Sequence, residues 1–415
     1  MLRKFGVMGA LATALAVVVS ATMGGTASAR IDTATAASSV KCGHSITIGV
    51  AYPATGNAAS IGVLQWDWAK FAKQQWNQSH ALKINLIPGD TKLATDAAAN
   101  LAVAHTFASN GKILAITGPA GSQEVEDATG IYESHGLANV SGSATRVELT
   151  RNLISSGGRP RFTDPGYFFR TVPNDGQQGE RVAYWMAMKV PATRIYIIDD
   201  SESYSQGLAT QVTKALKKHY GITVPVSSTD HVDQTLPHDF SSVIAKIPAD
   251  TQIVYTPWQL SAEAQSFYQQ YHTARPSTTT IQFGSDGTDD PSTFTGAGSL
   301  VSGFPVDFAN SKVTTFAAAH GGQPELFGLP SYTATLVNAT AIKMACRAGH
   351  GSTTRSAVRK RIAKVQLTAA QSLLGFSVKF LSTNVGAFQA AGDMGGTADF
   401  AIYKIQANGT YKRLG

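Results

Sequence analysis

Hydrophobic and polar positions alternate along this chain in two regular ways. Short runs rich in Val, Ile, Leu and Ala, such as "SITIGV" and "KILAIT", are bounded by Gly, Pro, Ser or Asp and predict buried strands. Between them lie longer stretches whose apolar residues recur at helical spacing, for example Ile61, Leu64, Trp68 and Phe71. Continuously apolar strands separated by helices are typical of parallel sheets covered on both faces.

The alternation runs in two series, separated by a Gly/Pro/Arg-rich stretch at residues 159–164. A chain of 415 residues is also too long for one ordinary core. We therefore predict an α/β protein of two Rossmann-like lobes, each a three-layer α/β/α unit. The last part of the chain is too short for a third domain, so we expect it to return to both lobes. The predicted boundaries are 45–168 plus 306–396 for lobe 1 and 169–305 plus 397–415 for lobe 2. Several crossings between lobes form a hinge, and a hinge between two such lobes creates a ligand cleft.

The N-terminal segment has the features of a secretory signal peptide. Arg3 and Lys4 precede an apolar run at 10–19, and Ala27-Ser28-Ala29 is a small-residue cleavage site. We predict a signal peptide at 1–29, a flexible leader at 30–44 and an extracytoplasmic mature chain. The apolar run is too short to span a bilayer. Removing the two basic residues lowers the formal charge from +7 to +5.

Composition narrows the classes of function. An apolar fraction of 43% and a charged fraction of 15% indicate a folded, well-buried protein. The densest basic run, residues 355–364, has helical spacing and no interleaved aromatics, so it is typical of a solvated helix face rather than a nucleic-acid site. Cys42 and Cys346 could form a disulfide in an exported chain, but their sequence positions leave this open.

The sequence offers little support for catalysis. The turn "GPAGS" at 118–122 lacks the Gly-Lys-Ser/Thr ending of a phosphate loop, and acids follow it at once. No G-x-S-x-G elbow is present. His231, Asp233 and His238 lie in a polar stretch without a register that would make them converge. We expect no enzymatic activity, no metal and no cofactor.

Binding of a small molecule is the class of function that remains. Open α/β sheets bind ligands beyond the carboxyl ends of their strands. Hydroxyls, backbone amides, aromatics and a carboxylate follow those ends, whereas Lys and Arg do not. Helix starts and hydroxyls can hold a carboxylate without a cation, and Asp286 could accept an ammonium group. The pattern predicts a zwitterion site from the segments Tyr52–Asn57, Gly118–Ser122, Ser141–Thr145, Asp199–Tyr204, Trp258 and Gly284–Asp286.

From about Ser45 onwards the chain resembles the type I periplasmic binding proteins of the leucine/isoleucine/valine-binding class, which serve ABC importers. The resemblance rests on "SITIGVAYPATGNAASIG", "GPAGS…GIYESHGL", "SATRVELT", "YFFRTVPNDGQQG" and "IIDDSESYSQGLA". It implies a monomeric receptor that binds an amino-acid-like ligand and delivers it to an ABC permease. It also implies ligand contacts at Ser122, Ser143, Thr145, Tyr204, Trp258 and Asp286.

Departures from the family pattern leave the ligand open. Gly142 replaces a common proline, Ile61 stands where an aromatic is frequent, and Asp286 is shorter than the usual glutamate. Amides and aromatic acids are therefore alternative ligands. A ligand-sensing subunit is an alternative role, and an exported α/β hydrolase is the enzymatic alternative. The hydrolase would need a nucleophile and a base at adjacent strand ends, and the sequence shows no such pair.

Overall fold

The computed structural model describes residues 39–93, 96–150, 166–228, 238–304, 310–319, 327–395 and 400–415. Their strands form two large sheets and two short antiparallel pairs. The strands are β1 (Val40–Lys41), β2 (Ser45–Tyr52), β3 (Lys83–Asp90), β4 (Ile113–Thr117), β5 (Asn139–Ser141), β6 (Phe168–Arg170), β7 (Ile195–Asp199), β8 (Val226–Ser228), β9 (Ile253–Thr256), β10 (Ile281–Gly284), β11 (Leu300–Gly303), β12 (Ser352–Thr353), β13 (Gln366–Leu367), β14 (Val378–Lys379), β15 (Ala401–Ile405) and β16 (Tyr411–Arg413).

The helices connect these strands, as the alternation predicts. Within the described ranges, none of them has the length and apolar character that crossing a bilayer requires. The helices are α1 (Ala59–Ser79), α2 (Ala97–Ser109), α3 (Ser122–Ser134), α4 (Asp175–Tyr184), α5 (Ser203–Tyr220), α6 (Ser241–Lys246), α7 (Ser261–Ala274), α8 (Ser311–Ala319), α9 (Gly328–Ala348), α10 (Arg355–Ile362) and α11 (Ala369–Ser372).

The first sheet is parallel throughout, with strand order β3-β2-β4-β5-β6. One face buries Ile46 and Ile48 against Trp68 of α1 and the apolar side of α9. The other face buries Ile113 against Phe107 of α2 and the helix α3. Burial on both faces explains why the central strand β4, "ILAIT", reads as an almost unbroken apolar run. This sheet and the helices α1, α2, α3 and α9 are called the first lobe below.

The second sheet has the order β16-β15-β11-β10-β9-β7-β8. Its strands are parallel except β15 and β16, which join the edge in antiparallel fashion. Successive residues of β7 point to opposite faces: Ile195 and Ile197 pack against α4 and α5, while Tyr196 and Ile198 pack against α6 and α7. This sheet and the helices α4 to α7 are called the second lobe.

The C-terminal part of the chain serves both lobes. Val337 and Ile342 of α9 are buried in the same core as Ile46, whereas β15 extends the second sheet beside β11. The chain therefore crosses between the sheets after β6, after β11 and before β15. The two-lobed α/β prediction is confirmed, while the numerical lobe boundaries stay a prediction.

The end of the segment at 30–44 differs from the flexible leader predicted for it. Its strand β1 pairs antiparallel with β12, and Cys42 is joined to Cys346 by a disulfide with a Cα–Cα distance of 6.0 Å. Cys42 is buried in the core of the first lobe. A two-residue strand has too little length to show periodicity, and its bonding partners lie about three hundred residues away, so the sequence pattern did not reveal it.

Candidate functional site: the cleft between the lobes

A cavity lies where the carboxyl ends of strands from both sheets face each other. It contains about 310 Å³ of space unoccupied by protein atoms, part of it open to solvent. None of the described residues that line it is basic. The first lobe contributes Ile61, Leu93, Ala120, Gly121, Ser122, Ser143 and Phe327, and the second contributes Tyr204, Gln259, Asp286 and Gly287.

On the first wall, Ser122 is the first residue of α3 and is almost fully buried. Its hydroxyl accepts a hydrogen bond from the backbone N–H of Arg146 (3.3 Å), so its own hydrogen can still be donated. The turn before it requires glycine at position 118, where φ is +99° and a Cβ would lie 2.1 Å from the carbonyl oxygen of Ala51. The helix start and this hydroxyl together form a place for a carboxylate.

Ser143 lines the same cavity, but its hydroxyl is already engaged within the first lobe. It donates to the carbonyl oxygen of Ala120 (2.7 Å) and accepts from the side-chain amide of Gln65 (2.7 Å). These two bonds join the turns after β4 and β5 and tie both to α1. The structure therefore gives the Ser143 side chain a role in holding the wall together.

On the second wall, Tyr204 and Asp286 form a buried pair. The Tyr204 hydroxyl donates to the Asp286 carboxyl group at 2.5 Å, and the backbone N–H of Gly287 donates to that hydroxyl at 3.4 Å. Burial raises the pKa of Asp286 to about 6, although hydrogen bonds from Tyr204 and Gln178 offset part of the increase. Asp286 is thus mainly ionised at neutral pH and is the one carboxylate among the lining residues described.

Two of the residues predicted for the site lie outside this lining. Thr145 is fully buried beneath the wall, facing Asp175, whose backbone N–H donates to the Thr145 carbonyl (2.9 Å). Trp258 is a core residue of the second lobe. Its indole donates to the carbonyl of Ile198 (2.7 Å) and its ring stacks on Phe240 at 5.3 Å.

Sequence reasoning missed several lining residues. Gln259 directly follows Trp258, and the chain turns between them so that the tryptophan enters the core while the glutamine reaches the cavity. The position of Gln259, just beyond the end of β9, was the sequence signal that could have identified it as a lining residue. Leu93 lies three residues past the end of β3, a strand end that the sequence prediction did not include in the site. Phe327 directly precedes α9 and follows no described strand end, so strand-end reasoning could not identify it.

Arg146 connects the two walls. Its guanidinium donates to the backbone carbonyl (2.9 Å) and the hydroxyl (2.7 Å) of Ser203, at the start of α5, and also contacts Glu148 at 3.0 Å. Its backbone N–H holds Ser122. One residue of the first lobe therefore contacts both the Ser122 wall of the cleft and the helix that carries Tyr204 of the opposite wall.

Carboxyl groups of both lobes are also buried beside the cleft. Burial raises the pKa of Glu124 in α3 to about 7 and that of Asp200 to about 7. Burial, with the charges of Asp200, Asp127 and Glu124, raises the pKa of Glu202 to about 8. The folded state therefore favours the protonated form of these groups.

The raised pKa values of these carboxyl groups predict that the free energy of unfolding falls as the pH rises. Each of these carboxyl groups has a higher pKa in the folded state than in the unfolded chain, where it is about 4. Each group therefore contributes its full stabilisation below the unfolded pKa and loses it as the pH rises through the folded pKa. We expect the melting temperature of the ligand-free protein to decrease between pH 5 and pH 8. Glu124→Gln keeps the hydrogen-bonding shape at the start of α3 and should flatten this decrease. A melting temperature that is constant or rises across this range would contradict the assignment.

Among the residues that the structure describes, no group of three or more His, Cys, Asp or Glu side chains is arranged to hold a metal ion. His238 lies at the start of a described range, whereas His231 and Asp233 are outside the described residues.

The chain belongs to the periplasmic binding protein family, whose model matches residues 45–410. It is 26% identical over 302 residues to an amino acid binding protein of Pseudomonas aeruginosa, covering 69% of this chain and 75% of that one. It is 29% identical over 214 residues to a leucine-, isoleucine-, valine-, threonine- and alanine-binding protein of the same organism, covering about half of each: 51% and 52%.

Solved structures agree on the fold. A leucine-binding protein of Thermotoga maritima has a TM-score of 0.73 at 19% identity, covering 89% of this chain and 98% of that one. A solute-binding protein of R. palustris, solved with benzoate, has a TM-score of 0.71 at 16% identity, covering 89% and 96%. These likenesses confirm the type I periplasmic-binding-protein architecture predicted from the sequence.

Proposed function

We propose that this protein is an extracytoplasmic receptor of an ABC importer that binds an amino-acid-like ligand between its lobes. One observation carries the proposal: a single cavity places the start of α3, with Ser122, opposite the Tyr204–Asp286 pair. A carboxylate fits the first group and an ammonium the second, and no cationic side chain among the described lining residues competes for either. The names of the curated relatives, which bind amino acids, support the same ligand class.

The predictions for the remainder of the chain belong to this proposal. The signal peptide would be cleaved after Ala29, and the mature monomer would act outside the cytoplasm, as family membership supports. The cleft would lie between two bodies that close on the ligand. Their boundaries would be 45–168 plus 306–396 for lobe 1 and 169–305 plus 397–415 for lobe 2. The closed form would then be recognised by the membrane permease.

A second candidate ligand is a carboxylate without an ammonium group. The neighbour solved with benzoate and the apolar side chains of Ile61, Leu93 and Phe327 favour it. Such a ligand would satisfy the Ser122 side of the cavity but leave the Asp286 carboxylate buried without a cationic partner, which is costly. The zwitterion therefore fits the cavity better.

A thermal-shift screen of the chain from Arg30 onwards separates these candidates. The panel contains amino acids, the corresponding carboxylates without the ammonium group, and the uncharged carboxamides of those carboxylates. A bound ligand at 100 times its dissociation constant should add about 2.7 kcal/mol to the free energy of unfolding. We expect stabilisation by a zwitterion and none by either analogue. Stabilisation by a plain carboxylate or an uncharged compound, with no response to any zwitterion, would contradict the proposed ligand class.

A further inference from the structure

The side-chain amide of Gln259 is a polar group of the cavity that the carboxylate and ammonium subsites leave unused. Gln259 lines the cavity and is only 6% exposed. Its Nε2 atom is buried and has no hydrogen-bond acceptor among the described residues. Buried amide groups in folded proteins nearly always have a partner. The donor is thus left for a partner that the described residues do not supply.

The backbone around Gln259 is fixed, so the side chain has little freedom to turn elsewhere. The backbone N–H of Gln259 donates to the carboxyl group of Asp200 (3.1 Å). Gly287 approaches so closely that a Cβ there would lie 2.9 Å from the Cα of Gln259. The next residue, Leu260, is buried against Leu93 and other apolar residues of the first lobe. Gln259 therefore lies between the Asp286–Gly287 turn and the apolar wall.

This position distinguishes Gln259 from the other polar residues of the cavity. Ser122 with the start of α3 serves a carboxylate, Tyr204 with Asp286 serves an ammonium, and the Ser143 hydroxyl is engaged within its own lobe. The part of an amino acid that remains is its side chain. An aliphatic side chain would bury the Nε2 donor without an acceptor, at a cost comparable to a lost hydrogen bond.

We propose that Gln259 is a ligand-binding residue that selects amino acids whose side chain carries a carbonyl or carboxylate oxygen over purely aliphatic ones. This inference rests on the proposed function and specifies the substrate class of the same cleft.

The test compares L-glutamine with L-homoleucine, which has the same branching but methyl groups in place of the amide oxygen and nitrogen. Calorimetric titration of the wild-type chain should show glutamine binding about tenfold more tightly. Gln259→Leu should abolish or invert this preference. Gln259→Glu keeps the shape but removes the donor, and it should also weaken glutamine binding. Gln265→Leu, on α7 outside the cavity, is the matched control and should leave both affinities unchanged.

Three outcomes would overturn the inference. One is a wild-type chain that binds homoleucine as tightly as glutamine or more tightly. Another is an equal loss of both ligands in Gln259→Leu, which would assign the amide to the ligand's carboxylate. The third is binding of neither compound while a purely aliphatic amino acid binds in the thermal-shift screen, which leaves the proposed function intact. If no zwitterion binds at all, the proposed function fails and this inference fails with it. If Gln259→Leu does not fold, Gln259→Glu decides between these results.

Discussion

Replacing Arg170 with methionine is expected to lower the free energy of unfolding by about 3–5 kcal/mol. Arg170 is fully buried in β6, and its Nε lies 2.6 Å from the carboxylate of Asp393. The guanidinium also donates to the carbonyl oxygens of Ala144 (3.2 Å) and Arg146 (2.8 Å), in the turn that follows β5. Methionine would leave the Asp393 charge buried without its partner and would release the turn beside the cleft.

The measurement is chemical denaturation of the ligand-free protein. Arg194→Met is the matched control, because Arg194 pairs with Asp250 at 3.1 Å on the surface. The side chains of Arg194 and Asp250 are 52% and 66% exposed. An exposed pair contributes about 0–1 kcal/mol. The double variant Arg170→Met/Asp393→Leu should recover part of the loss, since it removes both charges. A loss in Arg170→Met no larger than in Arg194→Met would contradict this account.

The lobes could be predicted because their strands are buried on both faces. That burial makes β2, β4, β7 and β9 predominantly apolar, and α5, which follows β7, carries buried apolar residues at helical spacing. The same reasoning failed for short or distant pairings. β1 and β12 have two residues each, and the pattern of a two-residue strand cannot be distinguished from that of a loop.

The lining of the candidate site was predictable where it follows strand ends. Ser122, Ser143, Tyr204 and Asp286 each follow a strand and do reach one cavity. Which way a side chain turns after its strand depends on packing rather than on sequence position. Trp258 therefore entered the core, although the family resemblance implied a pocket wall there.

Replacing Asp286 with asparagine is expected to weaken amino-acid binding by about 2–5 kcal/mol at pH 7.5, a loss of about 30-fold or more. Asp286 is 2% exposed and, with a pKa raised by burial to about 6, carries its charge at this pH. Asparagine retains the shape and can still accept the hydrogen bond from Tyr204, so the change removes chiefly the charge. Asp290→Asn is the matched control, because Asp290 bonds Ser292 outside the cavity.

The most direct test of the amino-acid receptor is calorimetric titration of the wild-type, Asp286→Asn and Ser122→Ala chains with the amino acid that stabilises the protein most in the thermal-shift screen. The account predicts a large loss of affinity in Asp286→Asn and a smaller loss, near tenfold, in Ser122→Ala, where one hydroxyl is removed. Both variants should keep the wild-type fold in their circular dichroism spectra. Wild-type affinity in both variants would contradict the placement of the ligand between the start of α3 and the Tyr204–Asp286 pair.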